Sequence, residues 1–348
     1  MSRLFEEIAE QPEAVTRLLD AEIPALDRHA DAIWRDDVRF VVLVARGSSD
    51  NAARYAQYLL GIHHRLPVAL ATPSLGSIYG VEPDFTDALV VAVSQSGQSP
   101  DVVGVLDAAR RQGRPALAIT NDPGSPLAAA ATDVVELGTG PEASVAATKT
   151  YTSSLVALAL LSVARTEGEQ RAELVDDLRR LPEVMQAVVD TADAADAAAL
   201  GLRDCRHLLA AGRGLNYGTA FEAALKVREL SGVVAEAYSP PDLLHGPIAA
   251  VDEGAGALLI APTEPSLPGL RDLVAPLRDR GATVVALGAD RDLLAAADLP
   301  IWLPAEPAAW LTPVTSIVPA QRLAAAMAAG RGRDLDAPEG LQKVTRTR

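Results

Sequence analysis

The sequence predicts an α/β protein made of two tandem doubly wound halves, each a parallel sheet flanked by helices. Three observations carry this prediction. Short β-branched runs end in Gly/Ser turns and pass directly into helical patterns. The same strand-turn-helix order recurs in the second half of the chain, displaced by about 165 to 168 positions. The 348 residues, 49% of them hydrophobic, are enough to fill two cores.

Taken in order, Arg39 to Ala45 (RFVVLVA) reads as a strand. It breaks at Arg46-Gly47-Ser48-Ser49 and is followed by a helix to Leu60. A second strand, Ala88 to Val93, runs through Ser94-Gln95-Ser96-Gly97-Gln98-Ser99 into a helix from Asp101 to Arg111. A third, Pro115 to Thr120, leads into Asn121-Asp122-Pro123-Gly124-Ser125. Alternating strands and helices joined by short polar turns specify parallel pairing. Thr166 to Arg203 is acidic with helical spacing and reads as a helical connection, after which the pattern restarts. The expected division is 1–165 for the first half, 166–203 for the connection, 204–330 for the second half and 331–348 for a tail.

Composition removes several functional classes. A net charge of −15 and only 4% aromatic residues oppose nucleic acid, because backbone binding needs clustered cations and base stacking needs aromatic platforms. The single cysteine, Cys205, cannot form an intramolecular disulfide, and no Cys/His set has zinc-ligand spacing. The N-terminus carries acids where a secretory leader needs basic and then apolar residues. The longest apolar-rich run, Ser154 to Ala164, is too short for a bilayer. The expectation is a cytoplasmic protein that acts on a small molecule, with no membrane or nucleic-acid partner, no metal and no organic cofactor. The chain has 28 arginines but only three lysines, Lys149, Lys226 and Lys343. An amine can lose its proton and a guanidinium cannot, so the retained lysines are candidates for chemistry, with codon bias as an equal alternative.

Three places carry candidate chemistry. In Ser94–Ser99, a glycine, three hydroxyls and a following helix start suit a phosphate monoester, though an ordinary capped turn has the same composition. Ser48 and Ser49 tip this balance, since turns on adjacent parallel strands converge at one sheet edge. In the second half the turn Pro262-Thr263-Glu264-Pro265-Ser266 brings a carboxylate and two prolines, which disfavour an anion. One phosphate site per chain is therefore expected. Glu222, Lys226 and Glu229 fall on one helical face, either as a solvated charge stripe or as a carboxylate base tuned by an ammonium. His245, in Leu244-His245-Gly246-Pro247, is a turn histidine able to shuttle protons. His29, His63, His64 and His207 receive no role.

Taken together, FEEIAEQPEAV, GSS, SQSGQSPD, ITNDPGSPLA, GPEASVAATKT, GRGLNYGTAFEAALKVREL, AEAYSPPDLLHGP and DLDAPEGLQKVTRTR resemble, in order and over nearly the whole chain, the SIS (sugar isomerase) family. Within it they are most similar to the isomerase part of glucosamine-6-phosphate synthase and to the short SIS-type glucosamine-6-phosphate deaminases. The resemblance implies two tandem SIS-type halves followed by a catalytic tail. Ser48, Ser49, Ser94, Gln95, Ser96 and Ser99 match the phosphate cradle, and Ser144, Val145 and Ala147 match the segment that lines the sugar. Glu229 matches the carboxylate that moves a proton between C1 and C2, with Lys226 and Glu222 as its charged companions. His245 matches the ring-opening histidine, which in the family serves a neighbouring subunit, and so implies a homodimer. Lys343 matches the C-terminal lysine that engages the open-chain carbonyl as a Schiff base. All three lysines fall inside these motifs.

Two departures accompany the match. The chain starts Met1-Ser2, where the larger family enzyme carries a glutaminase domain with an N-terminal cysteine, and Ala147 stands where the synthase has serine. The expected reaction is conversion of glucosamine 6-phosphate to fructose 6-phosphate and ammonia. The alternatives are a related amino sugar or fructosamine phosphate as substrate, and a sugar-phosphate sensor without catalysis.

Overall fold

The computed structural model describes residues 2–191, 193–340 and 343. The first sheet contains β1 (Phe40–Ala45), β2 (Val68–Leu70), β3 (Ala88–Val93), β4 (Ala116–Thr120) and β5 (Asp133–Glu136), in the order β2-β1-β3-β4-β5 with every pairing parallel. The second contains β6 (His207–Ala211), β7 (Val234–Tyr238), β8 (Ala255–Ile260), β9 (Thr283–Gly288) and β10 (Leu299–Trp302), in the order β10-β9-β8-β6-β7, also all parallel. Read from β7, this is the same topology twice, so the chain is an α/β protein of two tandem doubly wound halves. The central strands β3 and β8 are buried along their whole length, which explains why their sequences are continuous apolar runs without alternation.

The first-half helices begin where the turn chemistry allows. Gly47, at φ 56° and ψ −130°, redirects the chain after β1 into the helix Ser48–His64. That helix runs one turn past the expected end at Leu60 and stops at Arg65, which adopts the left-handed conformation at φ 56°. Pro100 opens the helix Pro100–Arg111, its fixed φ suiting a first-turn position that has no helical N–H bond to lose. All 16 residues of the helix Lys149–Ala164 are buried, so the apolar run noted in the sequence is a core helix. Among the described residues no helix is long and apolar enough to cross a membrane. Residues 166–203 contain the helices Gly168–Val189 and Asp193–Gly201.

The chain forms two compact units that do not follow the halves strictly. One unit comprises Glu13–Glu142, Lys149–Arg179 and Gln342–Arg348; the other comprises Met1–Pro12, Ala143–Thr148 and Arg180–Leu341. The first has a core of β1, β3 and β4 side chains packed on Val102, Val105 and Leu106 of the Pro100–Arg111 helix. The second has a core in which Leu209, Leu259 and Val284 pack with Leu270 and Leu277.

Candidate active site

In the first unit, β1 and β3 are neighbours, and the strand order reverses between them. A crevice at the carboxyl ends of the strands is the place where open α/β sheets bind ligands. The turns after these two strands bring Ser48 and Ser49 to the same edge as Ser94, Gln95, Ser96 and Ser99. Ser48 and Ser49 are half-buried at the first turn of their helix, where backbone N–H groups lack helical acceptors. Ser94 is buried, and its Oγ accepts from the Gly97 N–H at 3.2 Å, while Ser96 Oγ accepts from the Gln98 N–H at 3.3 Å. The Gln95 carbonyl accepts from the Asn121 N–H at 3.0 Å and from Thr120 Oγ1 at 3.2 Å, which fixes the turn to β4. Gly97 sits at φ +60°, and a Cβ there would clash with Ser125 Oγ and Cβ, so any larger residue strains the turn. Ser99 stands at the helix N-cap, yet its hydroxyl makes no capping bond.

A cation at this edge, Arg46, is already committed. Arg46, at the end of β1, donates through Nε (2.9 Å) and Nη2 (2.6 Å) to Asp101 Oδ2, a buried carboxylate in the first turn of the Pro100–Arg111 helix. What remains for an anion is hydroxyls, amide hydrogens and the positive ends of two helices, a set suited to a small phosphate ester. A cavity of about 540 Å³ also opens in this unit, floored by Val42, Leu70 and Phe85. None of Ser48, Ser49, Ser94, Ser96 and Ser99 lines it.

The equivalent turn of the second half carries its own anion. Glu264 is buried, and its Oε1 accepts from Ser266 Oγ at 2.6 Å and from Asn216 Nδ2 at 3.4 Å. Burial pushes the Glu264 carboxyl above its ordinary range, against the pull of those two donors. At the end of β9, Gly288 lies so close to the Ala261 carbonyl oxygen that a Cβ there would clash with it.

The second unit holds the charged helix Tyr217–Ser231. Glu222 and Lys226 are completely buried in it, which removes the solvated-stripe reading. Lys226 Nζ lies 2.6 Å from Glu229 Oε2 and 3.3 Å from Glu222 Oε1. Burial alone would lower the lysine's pKa, but the two carboxylates outweigh it and hold the ammonium protonated beyond its ordinary range. Glu229, with 27% of its side chain exposed, is the member of the triad that reaches outward. In the same unit Ser144 is buried with no partner for its Oγ among the described residues, while Val145 and Ala147 are half-buried. That segment is fixed by Glu7, a buried carboxylate that accepts from the Ala143 N–H at 2.6 Å and the Ser144 N–H at 3.2 Å. His245 is exposed, just past the short helix Pro240–Leu244.

Lys343 belongs to the first unit, where its Nζ donates to Glu142 Oε2 at 2.6 Å. Neither Glu142 nor Glu7 was singled out from the sequence. Both stand in motifs quoted for the family resemblance, but nothing in their spacing distinguishes a buried carboxylate from a surface one. The histidines left without a role have structural surroundings. His29 is buried between Glu22 and Asp133, whose hydrogen bonds overcome the burial penalty and raise its pKa to about 9. Burial lowers that of His64 to about 4, where it contacts Ser162 as a neutral ring. Among the described residues no group of three or more His, Cys, Asp and Glu side chains is arranged to hold a metal ion.

Comparison with known proteins places this geometry. The SIS domain model matches residues 37–164 and 201–331. The chain is 33% identical over 344 residues to a glutamine–fructose-6-phosphate aminotransferase (isomerizing) of Pyrococcus horikoshii, covering 98% of this chain but 57% of that protein's length. Among solved structures, the C-terminal domain of a glucosamine-fructose-6-phosphate aminotransferase from Francisella tularensis superposes with a TM-score of 0.88 at 26% identity, covering 97% of this chain and 98% of that one. A glucosamine-6-phosphate deaminase from Thermotoga maritima shares the fold, with a TM-score of 0.78 at 23% identity over 99% of this chain and 100% of that one. Two matched SIS segments, on two sheets of identical strand order, establish that the chain belongs to the SIS domain family.

Proposed function

We propose that the chain deaminates and isomerises an amino sugar phosphate, turning glucosamine 6-phosphate into fructose 6-phosphate and ammonia. The observation that carries this reading is Lys226, an ammonium fully buried between Glu222 and Glu229, with Glu229 partly exposed. A solvated stripe would not bury a lysine, and a sugar-phosphate sensor has no use for a carboxylate backed by a desolvated cation.

In this reading the serine turns hold the phosphate, and Ser144, Val145 and Ala147 line the sugar. His245, exposed on its own chain, assists ring opening on a neighbouring copy in a homodimer. Ring opening frees the C1 aldehyde. Glu229 removes the C2 proton to leave an enolamine and returns a proton to C1, one group sufficing because the two carbons are adjacent. The resulting C2 iminium is taken up by the Lys343 amine with release of ammonia, and water hydrolyses the lysine imine to the ketose.

The test is release of ammonia and fructose 6-phosphate from a panel of amino sugar phosphates. Glu229→Gln and Lys343→Arg should each abolish turnover while leaving phosphate-dependent binding intact, because arginine keeps the charge but cannot form an imine at neutral pH. Borohydride in the presence of substrate should trap a covalent adduct at Lys343, read by mass spectrometry. Full turnover by Lys343→Arg would overturn the assignment.

A further inference from the structure

The ion pair between the tail and the body of the first unit has a stricter chemistry than a surface contact. Glu142 has no exposed side-chain area. Its Oε1 accepts from the Thr150 N–H at 3.0 Å, and its Oε2 accepts from Thr150 Oγ1 at 2.8 Å and Lys343 Nζ at 2.6 Å. Thr150 is the second residue of the buried helix Lys149–Ala164, so the carboxylate is anchored at the positive end of that helix. Lys343 itself is only 23% exposed. A buried carboxylate held through both oxygens by a helix start and a hydroxyl keeps Oε2 in a fixed direction, and the amine of the tail meets that oxygen. Such an anchor decides where the lysine amine sits.

We infer that Glu142 is the positioning residue for Lys343: it docks the tail lysine and takes the proton that its ammonium must lose before nitrogen can bond to carbon. The inference rests on the proposed imine step. Glu142 accepts one proton from Nζ, and the freed lone pair bonds to the C2 iminium carbon. One N–H proton of the newly bonded lysine nitrogen passes to the original amino nitrogen, the bond from C2 to that nitrogen breaks to release ammonia, and the ammonia takes the proton held by Glu142 and leaves as ammonium. Glu142 is again a carboxylate, and a protonated lysine imine remains at C2.

The experiment separates docking from chemistry. Glu142→Gln keeps an acceptor for Thr150 and removes the charge facing Nζ. Folded wild-type and variant proteins are treated with limiting acetic anhydride, and acetylation at Lys343 is quantified by peptide mass spectrometry with buried Lys226 as the internal reference. Loss of a charge-assisted hydrogen bond should make Lys343 label about tenfold faster in the variant. Turnover of glucosamine 6-phosphate should fall on the order of a hundredfold, with KM changed by less than about twofold. If Glu142→Gln does not fold, Thr150→Val loosens the same carboxylate from its other side and should give a smaller rise in labelling. Equal labelling in wild type and variants overturns the clamp. Faster labelling with undiminished turnover overturns the role of Glu142 in the reaction. Lys343→Arg turning over normally would instead remove the imine step, and the labelling result would stand apart from it.

Discussion

The turns after β3 and β8 leave equivalent strands of two sheets with the same order, and they solve the same edge in opposite ways. After β3, two serine hydroxyls accept backbone N–H groups to shape the turn, Gly97 tightens it, and Ser99 stands at a helix start without spending its hydroxyl on a cap. After β8, Glu264 turns inward and takes Asn216 and Ser266 as donors. The turn after β3 carries no carboxylate, whereas the turn after β8 places a buried one among its own donors. A duplicated fold therefore does not imply duplicated turn chemistry. The strand order is shared by the two halves, and these two turns differ in their chemistry.

The largest expected effect tests that contrast directly. Replacing Ser96 and Ser99 together by alanine should raise KM for a sugar phosphate on the order of a hundredfold, since hydrogen bonds to a charged group are each worth about 1.5–3 kcal/mol. Ser266→Ala, the comparison in the second half, should leave KM within about twofold. Steady-state kinetics on the three proteins decides it, and equal effects from the two halves would erase the distinction.

A second prediction concerns the shape of the first turn. Gly97→Ala puts a methyl against Ser125 in a backbone conformation that alanine disfavours, so it should cost about 2–4 kcal/mol in urea unfolding. Because the turn itself must shift, phosphate affinity should fall with stability. An unaffected midpoint would mean that the turn is looser than its geometry.

The smallest effect belongs to the internal anion. Burial raises the Glu264 carboxyl above its unfolded-state value, so the folded chain binds this proton more tightly than the unfolded one. The native state then carries a desolvated charge above the folded pKa, and the penalty is relieved as pH falls through it. Glu264→Gln keeps an acceptor and removes the charge. Its Tm should exceed wild type by about 2 °C at pH 8, a difference that disappears near pH 4.5. Thermal melts at the two pH values check it, and a variant less stable at pH 8 would show that the carboxylate is a net asset to the second half.

Much of the architecture was legible before any coordinates. The apolar runs at Phe40–Ala45, Ala88–Val93 and Ala116–Thr120 are strands within one residue of where their composition puts them, because a strand buried on both faces must be apolar without interruption. The serine turns were legible for a related reason. A short turn between a strand and a helix has few ways to close, and glycine with hydroxyls advertises them. Glu222, Lys226 and Glu229 were ambiguous, because helical spacing shows which side chains share a face and says nothing about what covers that face.

The sequence by itself determined the strand-turn-helix order, its repetition, the position of the glycines that let the turns close, and the family motifs. These are local properties, set by backbone sterics and by alternation of apolar and polar residues along the chain. Only the tertiary structure decided that Lys226 is buried between two carboxylates, that Glu264 turns inward to take Ser266 and Asn216 as donors, and that Glu142 meets Lys343 across 201 positions of sequence. Each of these depends on desolvation and on the direction of a side chain relative to residues far away in sequence, and a carboxylate in water and one in a core are spelled with the same letter.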